Sequence, residues 1–315
     1  MKQTPAVKTQ NLTKRFGRHM AVNDVDLEIY SGQVYGLIGP NGAGKTTLIR
    51  MLTTAEDASS GEIYIGGEKL RSDRPQPHIK RQLGYLPDDY PLYDDLSVWD
   101  YLDYFARLYD LRGRQRQRRL QEVLELVNLE HKRRSRITSL SRGMKQRLGL
   151  ARTILHNPTL LLLDEPVSGL DPIARQQFRE VIKTLQSVGM TILISSHVLS
   201  DLAELCTAIG IMELGFLVES APLEELYQRL SRQQIWISTQ DDSQQVAAWL
   251  SQSAKVEGIE QARAGVLKMQ FSGSQAEAAA LLRSLVQSGF SVYDFRCVQD
   301  SLEDIFFKVG HQQSS

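Results

Sequence analysis

The stretch Val34-Tyr-Gly-Leu-Ile-Gly-Pro-Asn-Gly-Ala-Gly-Lys-Thr-Thr-Leu-Ile-Arg-Met-Leu52 decides the fold. It opens as an apolar strand pattern and ends on a helical pattern. Between them Gly39-Pro-Asn-Gly-Ala-Gly-Lys-Thr46 fits the spacing G-x-x-x-x-G-K-[ST]. The chemistry explains the spacing. A triphosphate needs a concave run of backbone N–H groups, and glycines let the main chain curl around it. The helix that begins near Lys45 adds its positive end. Lys45 supplies a point charge for the β- and γ-phosphates, and Thr46 a hydroxyl for Mg²⁺. The candidate nucleotide-binding residues are therefore Gly39, Pro40, Asn41, Gly42, Ala43, Gly44, Lys45, Thr46 and Thr47.

Outward from this point, Leu160-Leu-Leu-Leu-Asp-Glu-Pro166 reads as a buried strand ending in two carboxylates. A carboxylate there lies where open α/β sheets bind ligands. Asp164 is expected to hold Mg²⁺ and Glu165 to polarise an attacking water. Met190 to Ser195 is another apolar run, so the first two-thirds read as a parallel sheet covered on both faces. From Leu96 to about Leu155 the periodicity is helical, as in Val98-Trp-Asp-Tyr-Leu-Asp-Tyr-Phe105, which reads as a helical insertion.

After about Ser220 the pattern changes. A strand at Ile235–Ser238, a helix at Ser243–Ser251, two strands at Val256–Ala262 and Val266–Phe271, a helix at Ala276–Gln287 and a strand at Phe290–Val298 follow. A last helix is expected at Ser301–Val309, and a disordered polar tail at Gln312–Ser315. The order βαββαβ suggests a small ferredoxin-like sandwich.

Composition narrows the class. The chain has 315 residues, with 37 Lys+Arg against 37 Asp+Glu and a formal net charge of zero. That balance argues against a nucleic-acid-binding tail or a polybasic membrane anchor. Two cysteines, Cys206 and Cys297, exclude a disulfide scaffold or a four-cysteine zinc site and suit a reducing compartment. Met1 to Lys8 shows no signal-peptide pattern. The apolar runs are far shorter than the ~20 residues that cross a bilayer. A membrane role must therefore come through a partner.

Three more motifs complete the pattern. Ser139-Leu-Ser-Arg-Gly-Met-Lys-Gln-Arg147 precedes the Asp164 strand, and Ser168-Gly-Leu-Asp171 and Ser195-Ser-His197 follow it. In this order, over roughly residues 7 to 220, the sequence resembles the nucleotide-binding subunit of ABC transporters. Within that family it is most similar to the ATPase subunits serving ABC-2-type permeases. Ser301-Leu-Glu-Asp-Ile-Phe306 resembles the end of their extra domain. The resemblance implies a P-loop NTPase cassette of α/β class, with a mixed sheet core, over 1–220. Its helical subdomain would cover about 88–155, and a small α+β accessory domain would follow at 221–315.

The resemblance also implies roles. Leu140-Ser-Arg-Gly-Met144 stands where the family has LSGGQ, so Ser141, Arg142, Gly143 and Met144 would meet the γ-phosphate held by the opposite subunit. Ser141 can cap the helix that follows. Arg142 and Met144 depart from the consensus Gly and Gln. His197 matches the switch histidine that contacts the γ-phosphate and orders water. Asp171 matches the loop that couples the two sites of a dimer, and it can also cap a helix starting near Pro172. Phe16, in Leu12-Thr-Lys-Arg-Phe16, matches the aromatic that stacks on adenine. In Leu83-Gly-Tyr-Leu-Pro-Asp88, Asp88 replaces the family's usual Gln, and a carboxylate there could still serve Mg²⁺. The implied whole is a Mg²⁺-dependent ATPase that dimerises with itself or a paralogue around two ATP molecules. It would drive export through a separately encoded transmembrane permease, from the cytoplasmic face of the cell membrane, with no nucleic-acid partner.

The basic residues Arg112, Arg114, Arg116, Arg118 and Arg119 lack interleaved aromatics. They read as a solvated helix face, with contact to anionic lipid as the next reading. Two rival functions differ in class. A soluble ATPase acting on ribosomes or DNA would usually carry two cassettes or long coiled coils, and this chain shows neither. A regulatory ATP sensor would bind ATP without turnover, against which stand Asp164, Glu165 and His197.

Overall fold

Val34–Ile38 forms strand β4 of a computed structural model, and all five of its residues are buried. The structure describes residues 4–71, 73–198, 202, 204–230, 233–263 and 265–299. The expected helix at 301–309, the Ser301–Phe306 motif and the polar tail lie outside the described residues. The described residues fall into two compact units divided after Leu223.

The first unit holds two sheets. Strands β1 (Pro5–Phe16), β2 (His19–Val25), β3 (Glu28–Tyr30), β5 (Ser60–Ile65) and β6 (Glu68–Lys69) form an antiparallel one in the order β2-β1-β5-β6, with β3 also on β1. The other has six strands, in the order β11-β10-β4-β9-β8-β7. They are β7 (Leu83–Leu86), β8 (Leu160–Leu163), β9 (Thr191–Ser196), β10 (Ala208–Glu213), β11 (Phe216–Pro222) and β4. All its pairs are parallel except β10 with β11. Parallel strands need crossover connections that cover the faces, so their side chains are apolar throughout. Every residue of β4 and β8 is buried accordingly.

Helix α1 (Lys45–Leu52) follows β4 and buries Leu48, Ile49, Met51 and Leu52 in a core shared with Val7, Leu27, Ile29, Leu162 and Leu193. A short helix α2 (Pro77–Lys80) precedes β7. Between β7 and β8 come α3 (Val98–Leu108), α4 (Gly113–Leu126) and α5 (Arg142–Ile154). Their periodic residues Tyr101, Leu102, Leu120, Val123 and Leu148 are fully buried, as a 3.6-residue stripe requires. Helix α6 (Pro172–Ser187) connects β8 to β9.

The basic stretch differs from the expected solvated face. Arg116 pairs with Asp103, and Arg119 donates to the carbonyls of Ile154 and Leu155 at the end of α5. Those two guanidiniums fasten α4 to its neighbours, whereas Arg112 and Arg118 stay exposed beside Asp110 and Glu122.

Helix α7 (Leu223–Leu230) begins at the last residue of the first unit. The second unit has strands β12 (Gln233–Thr239), β13 (Val256–Arg263), β14 (Val266–Phe271) and β15 (Val292–Gln299), with helices α8 (Ser243–Leu250) and α9 (Gln275–Gln287). The sheet order is β13-β14-β12-β15, antiparallel throughout. Counted within the unit, the strands run second, third, first, fourth, which is the ferredoxin-like order. Val246, Leu250, Ala278 and Leu285 of the helices meet Ile235, Ile237, Leu267, Met269 and Phe271 of the sheet.

Candidate functional site

Strand order places the site. Strands β4, β9 and β8 are consecutive neighbours, so their C-terminal ends bring together Gly39–Thr46, Ser195–His197 and Asp164-Glu165. After β4 the chain turns through Gly42 (φ +84°) and Gly44 (φ +103°), the latter being the N-cap of α1. Gly44 cannot be otherwise: a Cβ there would stand 2.2 Å from the Ala21 carbonyl oxygen. A Cβ on Gly39 would stand 2.3 Å from that of Met212. The first-turn N–H groups of α1 have no partners within the helix and make a natural anion seat. Pro40, Asn41, Gly42 and Thr46 are exposed, whereas Ala43 and Lys45 are buried and Gly44 and Thr47 lie between.

Lys45 Nζ donates to the Gly39 carbonyl at 2.7 Å and to that of Pro40 at 3.2 Å. It also lies 3.4 Å from Glu165 Oε1. Glu165 holds a left-handed backbone conformation (φ +48°), unusual for a residue with a side chain. Its other oxygen, Oε2, lies 2.7 Å from His197 Nδ1. A carboxylate only accepts, which puts the imidazole proton on Nδ1. Asp164 is 1% exposed. Its Oδ1 accepts from the Ser195 hydroxyl at 2.6 Å and from the Thr46 hydroxyl at 3.2 Å. The buried atoms Asp164 Oδ2 and Glu165 Oε1 have no hydrogen-bond partner among the described residues.

Asp88 is exposed beyond the end of β7. Partial desolvation, and next the charges of Asp164 and Glu165, raise its carboxyl above the ordinary carboxylate value. Its field thus reaches the carboxylate pair. Phe16, at the end of β1, is 46% exposed, with Lys14 Nζ 4.8 Å from its ring centre. The hairpin it belongs to borders the phosphate loop through Ala21.

The remaining candidates form a second group. Ser141 is the N-cap of α5, and its hydroxyl accepts from Met144 N–H at 3.3 Å. Asp171 is the N-cap of α6, accepting from Ala174 N–H at 2.9 Å. The two helix starts touch, because a Cβ on Gly143 would come within 2.5 Å of the Ala174 Cβ. Arg142 reaches the Ser168 carbonyl at 3.1 Å. Among the described residues, no hydrogen bond joins Ser141–Met144 to Gly39–Thr47.

Two residues carry weight that the sequence reading did not assign. Ser195, besides holding Asp164, accepts from Glu165 N–H at 2.9 Å. It was visible inside Ser195-Ser-His197 but had no marker of its own. Tyr90 donates to the Lys145 carbonyl at 2.9 Å and lies against Gly149, so it pins the loop after β7 to α5. Nothing in the sequence flags it.

A mostly parallel sheet with a phosphate loop, paired carboxylates and a histidine at one edge defines a nucleotide-hydrolysing cassette. Comparison with known proteins agrees. Residues 22–168 match the ABC transporter family, and residues 222–309 match the C-terminal domain of DrrA1-3-like ATP-binding proteins. The bacitracin transport ATP-binding protein BcrA of Bacillus licheniformis is 35% identical over 305 residues, 96% of this chain and 96% of its own. The Nod factor export ATP-binding protein I of Cupriavidus metallidurans is 36% identical over 223 residues, covering 71% and 73%. A solved ATP-binding subunit of an ABC transporter is 29% identical and superposes with a TM-score of 0.63 over 71% of this chain and 92% of that one. The chain belongs to the ATP-binding proteins of ABC transporters and is an ATPase of that family.

Proposed function

We propose that the chain binds ATP with Mg²⁺ between Phe16 and the phosphate loop, and hydrolyses it in a sandwich with a second copy or a paralogue. Closure of that sandwich drives export through a separately encoded permease, with the chain held peripherally at the cytoplasmic face of the cell membrane. One observation carries the reading. Lys45, Thr46, Asp164, Glu165 and His197 converge at one sheet edge. The capped helix start at Ser141 is not hydrogen-bonded to them, although it has the form of an anion site. A second copy supplies what one chain leaves apart.

The residues fit Mg²⁺. Thr46 and Asp164 offer hard oxygen donors, and Asp164 Oδ2 is buried with no hydrogen-bond partner among the described residues. Magnesium typically shares its ligands among one or two carboxylates, water and substrate phosphates. When bound, it offsets charge developing on the phosphates. Asp88 is assigned a supporting place beside it. Glu165 takes the proton of the attacking water, Lys45 neutralises phosphate charge, and His197 orients Glu165 and contacts the γ-phosphate. Asp171 holds the coupling loop at the dimer contact.

The relatives support the transport setting, since two are named for bacitracin transport and Nod factor export. A solved cassette with ADP and Pi in a dimer, 25% identical with a TM-score of 0.62, supports the sandwich. No helix among the described residues is long and apolar enough to cross a membrane, and in this reading the permease supplies the span. The test is Glu165→Gln with ATP on size exclusion. A trapped dimer with negligible phosphate release is expected, and a monomer with normal turnover refutes the reading.

A further inference from the structure

Arg142 is the first residue of α5, directly after the Ser141 cap. Its side chain turns onto the loop that follows Glu165 in the same chain. Nη2 donates to the Ser168 carbonyl at 3.1 Å. The guanidinium lies against Gly169, where a Cβ would come within 2.5 Å of Nη1 and 2.6 Å of Cζ and Nη2. Ser168 N–H donates in turn to the Glu165 carbonyl at 3.1 Å. An exposed arginine thus fastens the first turn of α5 to the turn that carries Glu165.

That turn needs holding. Glu165 sits in the left-handed region at φ +48°, a state that persists only where its surroundings over-determine it. On its N-terminal side the Glu165 N–H is held by Ser195 Oγ. On the other side its carbonyl is held by Ser168, and Ser168 by Arg142.

We infer that Arg142 is a positioning residue that, through Ser168 and Gly169, keeps Glu165 in register with the anion-binding start of α5. The inference rests on the proposed function, in which Ser141 meets the ATP of one site while Glu165 of the same chain serves the other. Arg142 then links the two sites inside one subunit. This differs from the role expected from its place in the motif, a direct contact to phosphate.

The two roles separate in kinetics. A direct ATP ligand weakens binding when removed, whereas a residue acting through the base lowers kcat. Steady-state hydrolysis by the full chain is measured for the wild type, Arg142→Ala, Arg142→Lys and Glu165→Gln, with thermal unfolding of each. Arg142→Ala is expected to lose on the order of tenfold in kcat, with KM within about twofold and an unchanged Tm. Arg142→Lys keeps a donor for the Ser168 carbonyl and should recover at least about half of the wild-type kcat. A raised KM with kcat intact, an equal loss in Arg142→Lys and Arg142→Ala, or no change in either overturns the inference. Turnover that depends on Glu165 leaves the proposed function standing in each of those cases. A wild type without turnover, or Glu165→Gln at the wild-type rate, removes that function and the Arg142 role with it.

Discussion

His197 Nδ1 stands 2.7 Å from Glu165 Oε2, while Lys45 Nζ stands 3.4 Å from the other oxygen of the same carboxylate. The carboxyl is thereby fixed in direction at both ends. Removing a general base typically costs about 10²- to 10⁴-fold in rate. Glu165→Gln should lose that much in kcat and still bind ATP. His197→Ala should lose kcat too, but less than Glu165→Gln, because Lys45 still orients the carboxylate. Phosphate release beside equilibrium nucleotide binding checks both.

Ser195→Ala removes a buried hydroxyl that donates to Asp164 and accepts from Glu165 N–H. A buried polar group left unpaired costs about 1–3 kcal/mol. Urea unfolding should register a loss of that size, and the Mg²⁺ concentration for half-maximal hydrolysis should rise. Full stability in the variant would contradict the arrangement.

Gly44→Ala and Gly42→Ala should differ. Both positions are left-handed, which costs a side chain roughly 1–3 kcal/mol. Only at Gly44 does the new Cβ also meet a backbone atom, 2.2 Å away at the Ala21 carbonyl; Gly42 has open space. Calorimetric ATP titration and thermal melts should find Gly44→Ala the more damaged in both stability and affinity.

Asp88→Ala tests the carboxylate that replaces the family's usual glutamine. Its field reaches Asp164 and Glu165, so the Mg²⁺ dependence of hydrolysis should shift. Unchanged Mg²⁺ dependence together with unchanged transport-coupled hydrolysis would deny Asp88 a place near the metal.

The second unit offers a pH signature. Lys255 first, and then the Ser274 backbone and hydroxyl, hold the Glu277 carboxyl down at about 2, from an ordinary 4.5. A depressed carboxylate adds stability above its unfolded value and loses it as pH falls toward its folded one. Glu277→Gln should therefore be less stable than the wild type at neutral pH. The gap should close between pH 4.5 and about 2, as read by denaturant unfolding across that range.

The site was legible where chemistry and spacing coincide. Lys45, Thr46, Asp164, Glu165 and His197 all follow strands that read as apolar runs, and the strand order gathers them at one sheet edge. The helices α3 to α5 were legible because their apolar residues recur at helical spacing. The antiparallel sheet was not. Strand β1 is mostly polar, its register shifts between Leu12 and Lys14, and one of its buried residues is Thr9. That hydroxyl donates to the Val25 carbonyl and accepts from Leu27 N–H, so burial there is purchased with hydrogen bonds rather than apolar surface. Pattern reading finds only the latter. Arg116 and Arg119 misled for the opposite reason, since charge on a helix says nothing of the Asp103 carboxylate or the Ile154 and Leu155 carbonyls that meet it.

The backbone at Glu165 has the shape that glycine or asparagine adopts freely. The proposed chemistry requires a carboxylate at that spot and no other. The fold therefore keeps its proposed general base where the chain would rest more easily without it. Selection for robustness alone and selection for turnover pull this one position toward different amino acids.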